Sequence, residues 1–120
     1  MKTYTIRRQP EGKLVCSVMR PADEKQPHNI HSNLFHLVYH SPDGFETGYS
    51  GSGPAELALS ILADHFNERA ALRPAAGRLH CWALHQQFKE HFIAPNQLEP
   101  GEEYTITTEA IDEWLQAKKS

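Results

Sequence analysis

Apolar and polar positions alternate through the first part of the chain and recur at helical spacing through the rest. From Lys2 to Arg8, Tyr4 and Ile6 share one face of an extended segment. From Leu14 to Met19 apolar side chains occupy both faces, as in a more central strand. Between them stands Gln9-Pro10-Glu11-Gly12, whose proline is preset for the second position of a turn and whose glycine suits the fourth. The same chemistry recurs downstream: Leu34 to His40 predicts a strand, Ser41-Pro42-Asp43-Gly44 a turn, and Phe45 to Tyr49 a returning strand. The polar stretch Pro21 to Asn33 predicts a surface loop joining the two hairpins.

After Tyr49 the period changes. Pro54 suits the first position of a helix, where its missing N–H is no loss, and Leu57, Ala58, Ile61, Leu62 and Phe66 then recur on one core-facing stripe. Arg73-Pro74-Ala75-Ala76-Gly77 must end that helix, because a residue before proline disfavours the helical region. A second helix is expected from about Arg78, with Cys81, Leu84, His85, Phe88 and Phe92 near one stripe, until Ala94-Pro95 stops it. Tyr104-Thr105-Ile106 predicts a short extended segment, after which Thr107 or Thr108 caps a last helix with Ile111, Trp114 and Leu115 on its apolar face. Strands first and helices afterwards predict an α+β fold: a small antiparallel sheet of about four strands, in two hairpins, packed against two to three helices. At 120 residues the whole chain, 1–120, suits one domain.

Composition adds bounds to that picture. Apolar content of 39% and charged content of 22% are those of a globular protein, and no run of about 18 apolar residues is available to span a bilayer. Met1-Lys2-Thr3-Tyr4 begins a strand pattern rather than the apolar stretch of a secretory signal, so a cytoplasmic location away from membranes is expected. Cys16 and Cys81 fall in apolar patterns and read as reduced core thiols. The formal charge of -3 is unevenly spread: Lys2, Arg7, Arg8, Lys13, Arg20 and Lys25 crowd the start, whereas residues 90–113 hold acids and no Lys or Arg. Glu99, Glu102, Glu103, Glu109, Asp112 and Glu113 therefore form a candidate surface for a basic protein partner. Direct nucleic-acid binding is disfavoured, since no dense Lys/Arg patch is interleaved with aromatics.

Candidate chemistry centres on Gly48-Tyr49-Ser50-Gly51-Ser52-Gly53-Pro54. If Gly53 caps the helix, free N–H groups of Ala55, Glu56 and Leu57 can meet a small anionic ligand such as a nucleotide, with Tyr49, Gly51, Ser52 and Gly53 around it. Glu56 can also reach back to the cap as half of a capping box and fill that site from within. The spacing matches neither the phosphate-binding loop of nucleotide hydrolases nor the dinucleotide fingerprint, and no lysine follows the glycines. The eight histidines offer a weaker metal reading through His28, His31 or His36. On a strand, His36 and His40 would stand roughly 13 Å apart at about 3.3 Å per residue, too far to share one ion. No cofactor and no catalytic residue is implied; Trp82, Phe88, Phe92 and Trp114 read as core aromatics.

Ser41-Pro42-Asp43-Gly44-Phe45-Glu46 and the run from Gly48 to Phe66 resemble the hallmark of a bacterial and phage family, the domain of unknown function numbered 6166. Its members share an aromatic-Glu-aromatic-Gly-Tyr-Gly-Gly-Ser-Gly-Pro-Ala core followed by an apolar helix. His85-Gln86-Gln87-Phe88-Lys89 and the threonine-led last helix are weaker points of similarity. The chain departs from the pattern at Thr47, where an aromatic is usual, and at Ser50, where glycine is usual. The resemblance implies an accessory protein of a phage or mobile element. With the residues it leads to the expectation of a non-enzymatic protein-interaction or inhibitor module, directed for example at a host defence. The alternatives are sequestering of an anionic ligand at Gly51 to Leu57 and, last, a metal-dependent enzyme.

Overall fold

Tyr4 and Ile6 are fully buried while the alternate residues Thr3, Thr5 and Arg7 are not, which is the alternation expected of a strand with one covered face. A computed structural model describes residues 2–25, 27–37, 44–69 and 78–119. Strand β1 (Thr3–Arg8) pairs antiparallel with β2 (Leu14–Arg20), from Thr3 opposite Met19 to Arg8 opposite Leu14. The predicted turn closes them: the Gly12 N–H donates to the Gln9 carbonyl at 2.8 Å, and Gly12 adopts φ +102, open to glycine without strain. On the far side of β1 lies β4 (Glu103–Thr107), and outside β2 lies β3 (Ile30–Asn33), giving the antiparallel order β3-β2-β1-β4. The extended segment expected around Tyr104 is thus a full member of the sheet.

The third strand is a correction. It lies inside the stretch expected to be loop, whereas residues 34–37 and 44–49 form no strand, so the second hairpin of Leu34–His40 and Phe45–Tyr49 is absent from the described residues. Residues 38–43, which include His40 and the Ser41–Asp43 part of that turn, lie outside them. Ile30–Asn33 carries no apolar alternation because all four residues are exposed; backbone pairing to β2 alone makes it a strand.

Helix α1 (Ser52–His65) is buried from Gly53 to Asp64, not along one stripe only. It packs between the inner sheet face of Tyr4, Ile6, Cys16, Val18 and Ile106 and the next helix, sharing one apolar cluster with Phe88 and Ile93. A helix enclosed on every side has little use for a polar face, which explains its run of Leu, Ala and Ile. It stops at His65, well before Arg73–Gly77. Asn67, at φ +56, takes the left-handed position, its N–H donates to the Asp64 carbonyl at 3.2 Å, and the Glu68 N–H donates to Ala63 at 2.8 Å. That pair of bonds is the Schellman arrangement.

Helix α2 (His80–Phe88) runs on into a π turn (Lys89–Ile93), and α3 (Thr108–Lys119) follows β4 with no intervening loop. Thr107 caps α3 as expected, its Oγ1 accepting the Ala110 N–H at 3.1 Å. Trp114 of α3 packs edge-on to Phe88 and Phe92, with ring centres 5.5 and 5.9 Å apart, closing the helical layer. No helix among the described residues is long and apolar enough to cross a membrane.

Candidate functional site

The glycine-rich segment is tied down at Thr47, Gly48 and Ser50. Thr47, buried, places its hydroxyl 2.8 Å from the carbonyl oxygens of Ile93 and Asn96, which share its proton, and 3.0 Å from the Tyr104 hydroxyl. Tyr104 then donates to Thr47; burial pushes its phenol up to about 12, so it stays a donor at neutral pH. The Gly48 N–H also donates to Ile93, at 3.1 Å, and Ser50 donates to Glu90 at 2.6 Å. The motif loop is therefore stitched to the end of the π turn through the Ile93 carbonyl, one of the terminal carbonyls that any helix leaves without an internal partner, and to Asn96 just beyond it.

Its glycines answer two different needs. Gly48 sits at φ +89, and a Cβ there would stand 2.7 Å from the Gln97 Cα. Gly51 and Gly53 make room for neighbours: a Cβ on Gly51 would meet the Tyr49 ring at 2.6 Å, and one on Gly53 would meet the Glu46 Cβ at 2.7 Å and the Tyr49 hydroxyl at 3.3 Å. Glu46 in turn pairs with Arg8 at 2.8 Å, and Arg8 also donates to the Leu98 and Gly12 carbonyls at 3.1 and 3.0 Å. Arg8, Gly12, Glu46, Gly48 and Tyr49, with Gln97 and Glu99, line an open groove of about 490 Å³ that holds the Arg8–Glu46 pair and the further carboxylate of Glu99.

The helix start differs from the one expected. Gly51, not Gly53, is the N-cap, and the Ala55 N–H already donates to the Gly51 carbonyl at 2.9 Å. Pro54 falls at the third helical position, still within the turn whose N–H groups have no helical acceptor. No side chain caps this terminus, so the capping box of Glu56 is not formed. Tyr49, Gly51 and Gly53 do gather in one place, the Tyr49 ring over Gly51 and its hydroxyl with Glu46 over Gly53, while Ser52 beside them is exposed. Ala55 and Glu56 instead turn into the core, where the fully buried Glu56 carboxylate lies 3.7 Å from His36 Nε2.

The acidic residues form the second assembly. Glu99, Glu102, Glu103, Glu109, Asp112 and Glu113 are all exposed. Glu99 and Glu102 close the turn before β4, where the Glu99 N–H donates to the Glu102 carboxylate at 2.8 Å. Glu103 stands opposite Arg7 in the β1–β4 register, and Asp112 meets His65 at 3.1 Å. The histidines are dispersed: His28 and His31 are exposed, His36 packs on Phe45 at 5.0 Å, and among the described residues no group of three or more His, Cys, Asp or Glu is placed to hold a metal.

One polar cluster had no signal in the spacing. Asp64, at the end of α1, accepts the Tyr4 hydroxyl at 2.7 Å, Lys2 Nζ at 3.1 Å and Arg20 at 2.9 Å. Burial pushes the Asp64 carboxyl up, but the Tyr4 and Lys2 hydrogen bonds and the charges of Lys2 and Arg20 outweigh it and hold the pKa below the usual carboxylate range. Its partners come from β1, β2 and the chain start, so only the folded sheet brings them together. The cluster binds the sheet to α1. Both thiols are buried, and burial pushes Cys16 and Cys81 up to about 12, away from the reactive thiolate.

Comparison with known families places residues 4–117 in a family of unknown function, DUF6166. No curated protein and no solved structure matches the chain.

Proposed function

We propose that this chain, which belongs to the DUF6166 family, is a non-enzymatic protein-binding module that receives a basic partner on the carboxylates of residues 99–113. One observation carries the reading: Glu99, Glu102, Glu103, Glu109, Asp112 and Glu113 are exposed along one continuous piece of chain, the turn, β4 and α3, with no Lys or Arg among residues 90–113. Opposed charge of this kind steers a partner and sets its orientation more than it adds raw affinity. The inhibitor role of a phage or mobile element extends the same proposal, because blocking a basic surface requires contact and no reaction. The anionic-ligand reading draws no support from a turn whose space is taken by Tyr49 and Glu46.

The test is capture of partners from a bacterial extract by wild type and by a Glu102→Lys, Glu103→Lys variant, at low salt and at about 0.5 M salt, where screening reaches within roughly 4 Å. Basic proteins retained by the wild type, and lost severalfold on either change, are the expected result. Retention indifferent to both changes sinks the reading.

A further inference from the structure

We infer that the partner binds as a strand: β4 accepts a basic extended segment along its outer edge. This rests on the acidic 99–113 segment being the partner face and adds the manner of contact. The order β3-β2-β1-β4 leaves one side of β4 without a neighbouring strand among the described residues. Two bonds at the ends of the β1–β4 ladder set its phase. The Arg8 N–H donates to the Glu102 carbonyl at 3.0 Å, and the Thr108 N–H donates to the Lys2 carbonyl at 3.0 Å. Bonded and turned-away positions alternate in an antiparallel pair, so Glu102, Tyr104, Ile106 and Thr108 face β1. Glu103, Thr105 and Thr107 then direct their N–H and C=O groups outward.

Thr107 is drawn into the start of α3, which leaves the four backbone groups of Glu103 and Thr105 as the template. An edge of this kind recruits another chain by main-chain hydrogen bonds, and side chains beside it select which one. Here the selecting charges are Glu103 on the edge itself, Glu99 and Glu102 just before it, and Glu109 just after. A lysine or arginine opposite Glu103 is the favoured cross-strand pair, and β-branched residues suit Thr105. A second copy of this chain would bring the same carboxylates against themselves, a device by which edges resist self-pairing. The opposite edge offers a basic segment no carboxylate of its own, since β3 is Ile30-His31-Ser32-Asn33. The segment matches β4 in length, about five residues.

The probe is a blocked ten-residue peptide of alternating lysine and valine, compared with its glutamate-for-lysine and central-proline versions, and the readout is amide hydrogen exchange with titration by NMR. The lysine–valine peptide should slow exchange at the Glu103 and Thr105 amides, and the two control peptides should not. Thr105→Pro, a change accepted on an edge where the N–H faces solvent, should weaken binding about tenfold. Unprotected Glu103 and Thr105 amides at saturating peptide overturn the proposal, as does unchanged binding by a folded Thr105→Pro protein. If that variant does not fold, the exchange measurement on the wild type decides. Loss of binding on Glu102→Lys with Glu103→Lys, but not on Thr105→Pro, keeps the acidic face and removes strand addition. Binding indifferent to both variants removes both, and self-association through β4 also overturns the partner assignment.

Discussion

Gly48 and Gly51 stand three residues apart in one motif, yet a methyl group meets different obstacles at each. At Gly48 the backbone is left-handed, and the obstacle is the Gln97 main chain at 2.7 Å, which cannot yield. At Gly51 the obstacle is the ring of Tyr49, a side chain that is 51% exposed and free to swing outward. Gly48→Ala should therefore lose about 2 to 3 kcal/mol in urea unfolding at an unchanged slope, and Gly51→Ala no more than about 1 kcal/mol. Equal losses would show that Tyr49 is not movable. Asp64 carries the pH dependence. Its folded pKa lies below the ordinary value of about 4, so its contribution is fully present above that value and is lost as pH falls through the folded pKa. Asp64→Asn should lower stability at pH 7 by about 2 kcal/mol and flatten the acid limb of a stability–pH curve. A variant whose acid limb matches the wild type would assign that limb to other carboxylates.

Among the elements, the helix ends separate what is local from what is not. Thr107 before α3 and Ala94-Pro95 after the π turn are local signals, and both end or begin their elements where sequence chemistry expects. The stop of α1 at Asn67 is local as well, but asparagine in the left-handed position is a quieter signal than the proline at 74. The start of α2 is not local. Glu68, a dozen residues upstream, accepts the Cys81 N–H at 2.8 Å and the His80 N–H at 3.1 Å, satisfying donors that no neighbour caps. Burial pushes its carboxyl up, but the hydrogen bonds from Cys81 and His80 hold it below the usual range. Glu68→Ala should destabilise by about 1 kcal/mol and speed hydrogen exchange in the first turn of α2 more than elsewhere. Uniform acceleration across the helices would instead place Glu68 in the cooperative core.

For the whole molecule, one apolar cluster joins the inner sheet face, α1, α2 and Ile111 of α3, and it contains both thiols. Cys16 and Cys81 should resist a disulfide reagent at pH 8 until global opening, and then react at one common rate. Distinct rates would divide the cluster into separately opening parts. The chain's own patterning was enough for the α+β class, the first hairpin, the capped last helix and the acidic character of residues 99–113, because those depend on spacing and composition within a few residues. It misplaced the third strand, since Ile30–Asn33 owes its conformation to pairing with β2 and shows no apolar period. It also offered Glu56 as the group that fills the glycine-rich turn from within, whereas the neighbours found against its glycines are Tyr49, Glu46 and Gln97, with the end of the π turn bonded to its backbone. The Asp64 cluster and the outward phase of β4 belonged wholly to the tertiary structure. Both depend on which strands lie side by side, and that is a balance of long-range packing and ladder register that no local window contains.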